Sequence, residues 1–116
     1  MTRQDIFEWC KQQYDVEPDY PWNDWNAVLR HKDNRKWFAL IMDVSKNKLE
    51  LEGDESMDVV NFKCDPILID SLRNENGFFP AYHMNKEHWI TVSLDDVCDE
   101  KIKMLLDISF ELTLSK

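Results

Sequence analysis

The sequence predicts an α+β fold: an antiparallel sheet of about six strands, made of a four-strand meander plus a C-terminal hairpin, flanked by N-terminal, short middle and C-terminal helices. Three observations carry the prediction. Apolar residues alternate with period two in runs broken by short polar turns between Trp25 and Lys63, and again from His88 to Leu94. They recur at helical spacing near both ends of the chain. Only one short helix-like stretch separates the two groups of strands, so the βαβ alternation of a parallel sheet is not the pattern.

The first helix is expected over about residues 3 to 14. Thr2 and Asp5 stand at capping-box spacing, and Ile6, Phe7, Cys10 and Tyr14 share one face. Pro18 and Pro21 then impose an extended connection that contains Tyr20 and Trp22. From Trp25 the period becomes two, with Ala27 and Leu29 opposed to Val28 and Arg30. The polar stretch His31 to Lys36 turns the chain into Trp37 to Val44, apolar at almost every position and so a strand buried on both faces. Short strands follow at Leu49–Glu52 and Met57–Lys63, with Val60 and Phe62 facing opposite Val59 and Asn61. Asp65 before Pro66 is an N-cap with proline at the first helical position, and Leu68, Ile69 and Leu72 make the stripe of a short helix ending before Gly77. Phe78–His83 and His88–Leu94 form the last hairpin. Asp96 or Asp99 starts a C-terminal helix with Ile102, Leu105, Leu106, Ser109 and Leu112 on one face. One core is expected from Ile6, Phe7, Cys10, Phe38, Leu40, Met42, Ile90, Val92, Leu105, Leu106 and Leu112.

With 116 residues, 43% hydrophobic, 12% aromatic and only two glycines, the chain has the size and composition of a single folded domain and is far from a disordered one. Its formal net charge of −9 opposes non-specific binding to phosphate backbones or anionic lipid. Any nucleic-acid role must rest on a local patch. Cys10, Cys64 and Cys98 are odd in number and widely spaced, so reduced thiols are expected. Charges in the first ten residues and the lack of any apolar run of about 20 residues point to the cytoplasm and away from a membrane.

No motif names a reaction. His83 and His88 straddle a turn, but two imidazoles are fewer than the roughly three ligands of a catalytic zinc site. Cys64 is the more interesting thiol, because it stands beside a helix N-terminus that can lower its pKa. The glycine-rich loops that cradle phosphates are missing. No catalytic residue, cofactor or metal is therefore expected. What remains is basic: Arg30, His31, Lys32, Arg35 and Lys36 at the first hairpin tip, and His83, Lys86 and His88 at the last. Trp25 and Trp37 flank the first set, Tyr82 and Trp89 the second, a mixture that can grip phosphates and stack on bases. The bland alternative is a polar turn beside ordinary core aromatics.

The segments PWNDWNAVLRHKDNRKWFALIM, FKCDP and GFFPAYHMNKEHWITVSLD resemble the MmcQ/YjbR family, and the likeness runs through nearly the whole chain. The resemblance implies a small bacterial α+β domain, compared in fold with frataxin-like and secretion-chaperone-like proteins, and a DNA-binding role through a double wing. It places the family signature on Trp37, Tyr82, His83, Asn85, Lys86, His88 and Trp89, and the wings on the two basic tips, with Arg30, Lys32, Arg35, Lys36 and Lys86 as the nucleic-acid contacts. The leading expectation is a non-enzymatic binding module, monomer or homodimer, with weak DNA contact. A protein-interaction adaptor or chaperone-like module with an acidic surface is the alternative, and a small ligand-binding or enzymatic site around His83 and His88 a third.

Overall fold

The structure is a computed structural model that describes residues 1–114. In chain order it contains α1 (Arg3–Tyr14), β1 (Ala27–Arg30), β2 (Trp37–Ser45), a 3-10 turn (Lys46–Leu49), β3 (Ser56–Lys63), α2 (Pro66–Leu72), β4 (Phe78–Pro80), β5 (Trp89–Ser93) and α3 (Asp99–Leu112). The α+β class is as expected, with five strands in the order β1-β2-β3-β5-β4, every neighbouring pair antiparallel. The strand expected at Leu49–Glu52 is instead the 3-10 turn and a loop. Leu49 alone of that stretch is buried, while Leu51 is exposed and Glu50 takes a left-handed φ of 64°. Apolar alternation over so few residues could not outweigh a chain reversal that pairs β2 directly with β3, from Ala39 opposite Phe62 to Ser45 opposite Ser56.

Local chemistry sets the helix ends. The Thr2 and Asp5 side chains accept hydrogen bonds from each other's backbone N–H, a complete capping box. The Asp65 carboxylate accepts from Ile67 N with Pro66 at the first helical position. Gly77 lies beyond the end of α2, whose C-cap is Arg73, and serves the turn into β4. Its φ is 88°, and a Cβ there would stand 2.8 Å from Val97 Cγ2, so both the backbone and the space require glycine.

Two apolar layers result, where one was expected. All three helices pack on one face of the sheet, through Ile6, Phe7 and Cys10 of α1, Ile69 and Leu72 of α2, and Ile102, Leu105 and Leu106 of α3. Leu40 and Met42 belong to the opposite face, in a second cluster with Val28, Val44, Leu49, Met57 and Val59, to which none of α1, α2 and α3 contributes a residue. Leu112, expected in the core, is 48% exposed at the last turn of α3.

A β-bulge decides which residues reach which face. Leu29 stands opposite Ala39 but Arg30 stands opposite Trp37, so Phe38 is an extra residue in β2. Strict alternation would aim Trp37 with Ala39 and Ile41 toward the helices. The bulge sends Phe38 there and leaves Trp37 packed against the second cluster.

The thiols are free; Cys10 and Cys64 are buried and Cys98 is exposed. Burial pushes Cys64 up to about 12, with Asp65 adding to the rise, so desolvation outweighs the neighbouring helix N-terminus and the thiol is an inert core residue. His31, counted with the basic tip, is instead part of the fold. Its Nε2 lies 2.7 Å from Thr113 Oγ1 and its ring rests on Phe38 and Phe110. Thr113 donates its hydroxyl proton to Ser109 O, so Nε2–H is the donor to Thr113.

Burial lowers the His31 pKa below 6.5. The unfolded chain therefore binds a proton before the folded one does, and the stability His31 contributes is complete above about 6.5 and is lost as pH falls through the depressed folded value. Urea midpoints should drop between pH 8 and pH 5 in the native chain, and this part of the drop should vanish in His31→Phe. An equal drop in both would assign the pH dependence to other groups. Asp15, which Lys32 and Lys11 hold at about 2, loses its contribution only below the ordinary carboxylate range, in a separate window.

Candidate functional site

The face opposite the helices carries the candidate site, and loops build it. After Pro18 the chain returns along β1, with Asp19 N donating to Val28 O and Val28 N to Asp19 O. A turn then reverses it, with Asn23 N donating to Tyr20 O and Asn23 at a φ of 55°. The buried Arg3 guanidinium fixes the end of this connection by donating to Trp25 O while lying 4.5 Å from the centre of the Trp25 ring. Within this connection Trp22 stands edge-to-face against Trp37, with ring centres 5.7 Å apart at 82°.

The other wall is the segment after β4, held by a buried polar pair. Asn61 and Thr91 sit side by side on β3 and β5, both fully buried, with the Thr91 hydroxyl donating to Asn61 Oδ1. Asn61 Nδ2 donates to Tyr82 O at 3.0 Å, and Tyr82 N donates to Thr91 Oγ1 at 2.9 Å. Both backbone polar groups of Tyr82 are thus clamped to the sheet. His83 follows at a φ of 60°, and Met84 folds back onto the second cluster. Asn85 closes the turn, its side-chain oxygen accepting from Glu87 N and His88 N and its carbonyl from Trp89 N.

Between these walls lies a cleft of about 360 Å³ lined by Trp22, Asp24, Asn26, Trp37, Met42 and His83, with Leu40 and Met84 completing it. It shares Asn26, Met42 and His83 with a neighbouring depression of about 250 Å³ that adds Asp43 and Lys48. A third, of about 170 Å³, continues past Lys48 and Tyr82 to Leu49, Phe79 and Lys86.

Of the residues singled out in the sequence, Trp37 and His83 meet in the first depression, and Tyr82 and Lys86 meet in the third. Asn85 is a turn former, His88 is exposed on that turn, and Trp89 opens β5 opposite Lys63. Among the described residues no group of three or more His, Cys, Asp or Glu side chains is placed to hold a metal ion.

The cations of the first tip meet acids. Arg30 Nε lies 2.8 Å from Asp19 Oδ2, a charge contact without hydrogen-bond geometry, and Lys32 Nζ lies 2.8 Å from Asp15 Oδ2. Arg30, Lys32 and Arg35 line a depression of about 250 Å³ together with Asp15, Glu17 and Asp19. Arg35 and Lys36 are exposed, and among the described residues neither is in an ion pair. Lys86 stands apart from them, its ammonium donating to Ala81 O at 2.9 Å. Sequence reasoning missed Trp22, Asp24, Asn26, Met42 and Met84 as site residues; the signal available was the aromatic PWNDWN stretch in a proline-bounded connection.

This arrangement defines a class, an α+β domain with helices on one side of an antiparallel sheet and an aromatic groove on the other. The YjbR family model matches residues 11–112, and the chain belongs to the YjbR family. It is 46% identical to the uncharacterized protein YyaQ of Bacillus subtilis, over 97% of this chain and 98% of that one. It is 30% identical to the uncharacterized protein YjbR of Escherichia coli K12, over 96% and 86%. Among solved structures, a Pseudomonas syringae protein matches with a TM-score of 0.95 at 45% identity, over 98% of this chain and all of that one. A Deinococcus radiodurans protein of domain family DUF419 matches with a TM-score of 0.75 at 27% identity, over 99% and 80%. No helix among the described residues is long and apolar enough to cross a membrane.

Proposed function

We propose that this protein is a non-enzymatic binding module, acting in the cytoplasm, that receives an extended segment of a protein partner in the groove on the open face of the sheet. The observation that carries the reading is the continuity of the three depressions through shared residues, from Trp22 and Trp37 to Phe79. An occupant touching all of them spans several residues, which suits a chain better than one compact small molecule.

The rival reading, nucleic acid held by Arg30, Lys32, Arg35, Lys36 and Lys86, draws on the same hairpins. It has less charge to work with. Asp19 and Asp15 already face Arg30 and Lys32, the Lys86 ammonium is engaged by Ala81, and the chain carries a net −9.

Amide spectra of the ¹⁵N-labelled protein, titrated at low salt with short mixed-sequence peptides and with duplex and single-stranded DNA, separate the two. Peptides should shift Trp22, Trp37, His83 and Met84, and reversal of Lys32, Arg35 and Lys36 to Glu should leave this intact. DNA binding with a log-affinity slope against log salt of roughly −3 to −4, abolished by that reversal, would establish the nucleic-acid reading instead.

A further inference from the structure

We infer that the Trp22–Trp37 end of the groove is a seat for a cationic side chain, so that the partner segment presents a lysine or arginine there. The inference rests on the groove being a binding surface. It adds the chemistry of the occupant.

Two perpendicular indole rings form a corner whose walls carry the negative faces that attract cations. Trp22 remains 47% exposed, so nearly half of that side chain is open to a ligand. The Asp24 carboxylate lines the same cleft, and the exposed Asp43 lies in the depression beside it. Asp24 Oδ1 accepts from Asn26 N at 2.8 Å and Oδ2 accepts from Asn26 Nδ2 at 3.4 Å. These bonds fix the carboxylate while leaving each oxygen a lone pair for a ligand. Among the described residues no arginine or lysine lines this cleft; Lys48 lines the next depression. The alkyl stem of a long cationic side chain finds Leu40, Met42 and Met84 below its charged head. The overall charge of −9 adds long-range attraction for a basic segment.

An anionic or strongly acidic ligand would meet Asp24 and Asp43 without a compensating cation in the cleft. A purely apolar side chain would fill the corner but leave the carboxylate unused. The cation satisfies both walls.

The test uses short capped peptides that differ only in one central residue, which is lysine, arginine, trimethyllysine or norleucine, each titrated into the full chain by calorimetry at pH 8 and low salt. The cationic peptides should bind roughly tenfold more tightly than the norleucine peptide, the range a partly desolvated cation–π contact supplies. Asp24→Asn should remove most of that preference while keeping the norleucine affinity, and Trp22→Ala, at an exposed position, should weaken the cationic peptides. Asp96→Asn, at a residue that lines none of the three depressions, should change neither. Equal binding of lysine and norleucine peptides, mapped to Trp22 and Trp37, would overturn the cation seat and leave the groove reading standing. No binding by any peptide would overturn both. Trimethyllysine against arginine tells a compact ammonium from a planar guanidinium as the favoured head.

Discussion

Phe38→Ala should lower the stability of this protein by about 3 to 5 kcal/mol, the range for removing a buried phenylalanine ring. Phe38 is fully buried where α1, β2 and α3 meet. Its ring packs edge-on against Tyr14 at 5.6 Å and Phe110 at 5.1 Å, and lies 5.3 Å from His31. The same residue's carbonyl accepts the Ser109 hydroxyl, which ties the bulge of β2 to α3. A smaller side chain would empty the centre of an aromatic cluster whose neighbours are themselves held. Tyr14 stacks on Phe110 and donates to Asp107, while His31 is bonded to Thr113, so collapse into the cavity is hindered. Leu112→Ala, at a residue nearly half exposed, should stay within about 0.5 kcal/mol. Equilibrium urea unfolding measures both, and a Phe38→Ala loss no larger than that of Leu112→Ala would show that the helices do not depend on this junction.

The second large effect is expected at the polar clamp under the groove. Asn61→Leu should cost about 2 to 4 kcal/mol, because the Thr91 hydroxyl and the Tyr82 carbonyl lose a partner where solvent cannot replace it. Thr91→Val should cost about 1 to 3 kcal/mol through the orphaned Tyr82 amide and Asn61 oxygen. Since the two side chains serve one network, the double variant should cost less than the two losses added together, by about 1 kcal/mol or more. Either variant should also speed hydrogen exchange at the Tyr82 amide and weaken peptide binding, because the clamp on Tyr82 helps hold His83 and Met84 over the groove. Full additivity with unchanged exchange would mean that the segment is positioned by its apolar contacts, Tyr82 and Met84 against the second cluster, and not by the clamp.

The clamp also gives physical content to the segment that looked most distinctive in the sequence. In PAYHMNKEHWITV the residues with a visible role are Tyr82 at the clamp, His83 in the left-handed turn, Asn85 as turn former and Thr91 as the buried anchor. Asn61, the third member of the clamp, lies 21 residues before Tyr82, on β3. Nothing local to it announces the partnership.

What the sequence by itself determined were the features that nearest neighbours along the chain control. The capping box of Thr2 and Asp5, the Asp65–Pro66 start of α2, and the opposition of Val60 and Phe62 to Val59 and Asn61 are all legible, because each depends on residues within one turn or one pleat. The tertiary structure alone decided the rest. A single extra residue at Phe38 reverses the face that Trp37 serves, and alternation cannot reveal a bulge whose existence depends on the partner strand. Acids from the end of α1 and the following connection stand against Arg30 and Lys32, so the charge of a hairpin tip that reads as basic is set by residues distant in sequence. The aromatic corner of Trp22 and Trp37 likewise joins a strand to a proline-bounded connection, whose end at Trp25 is held by Arg3 of the first helix. Local elements follow from short-range sterics and hydrogen bonds; a surface site here is made where separate segments meet, and only packing brings them there.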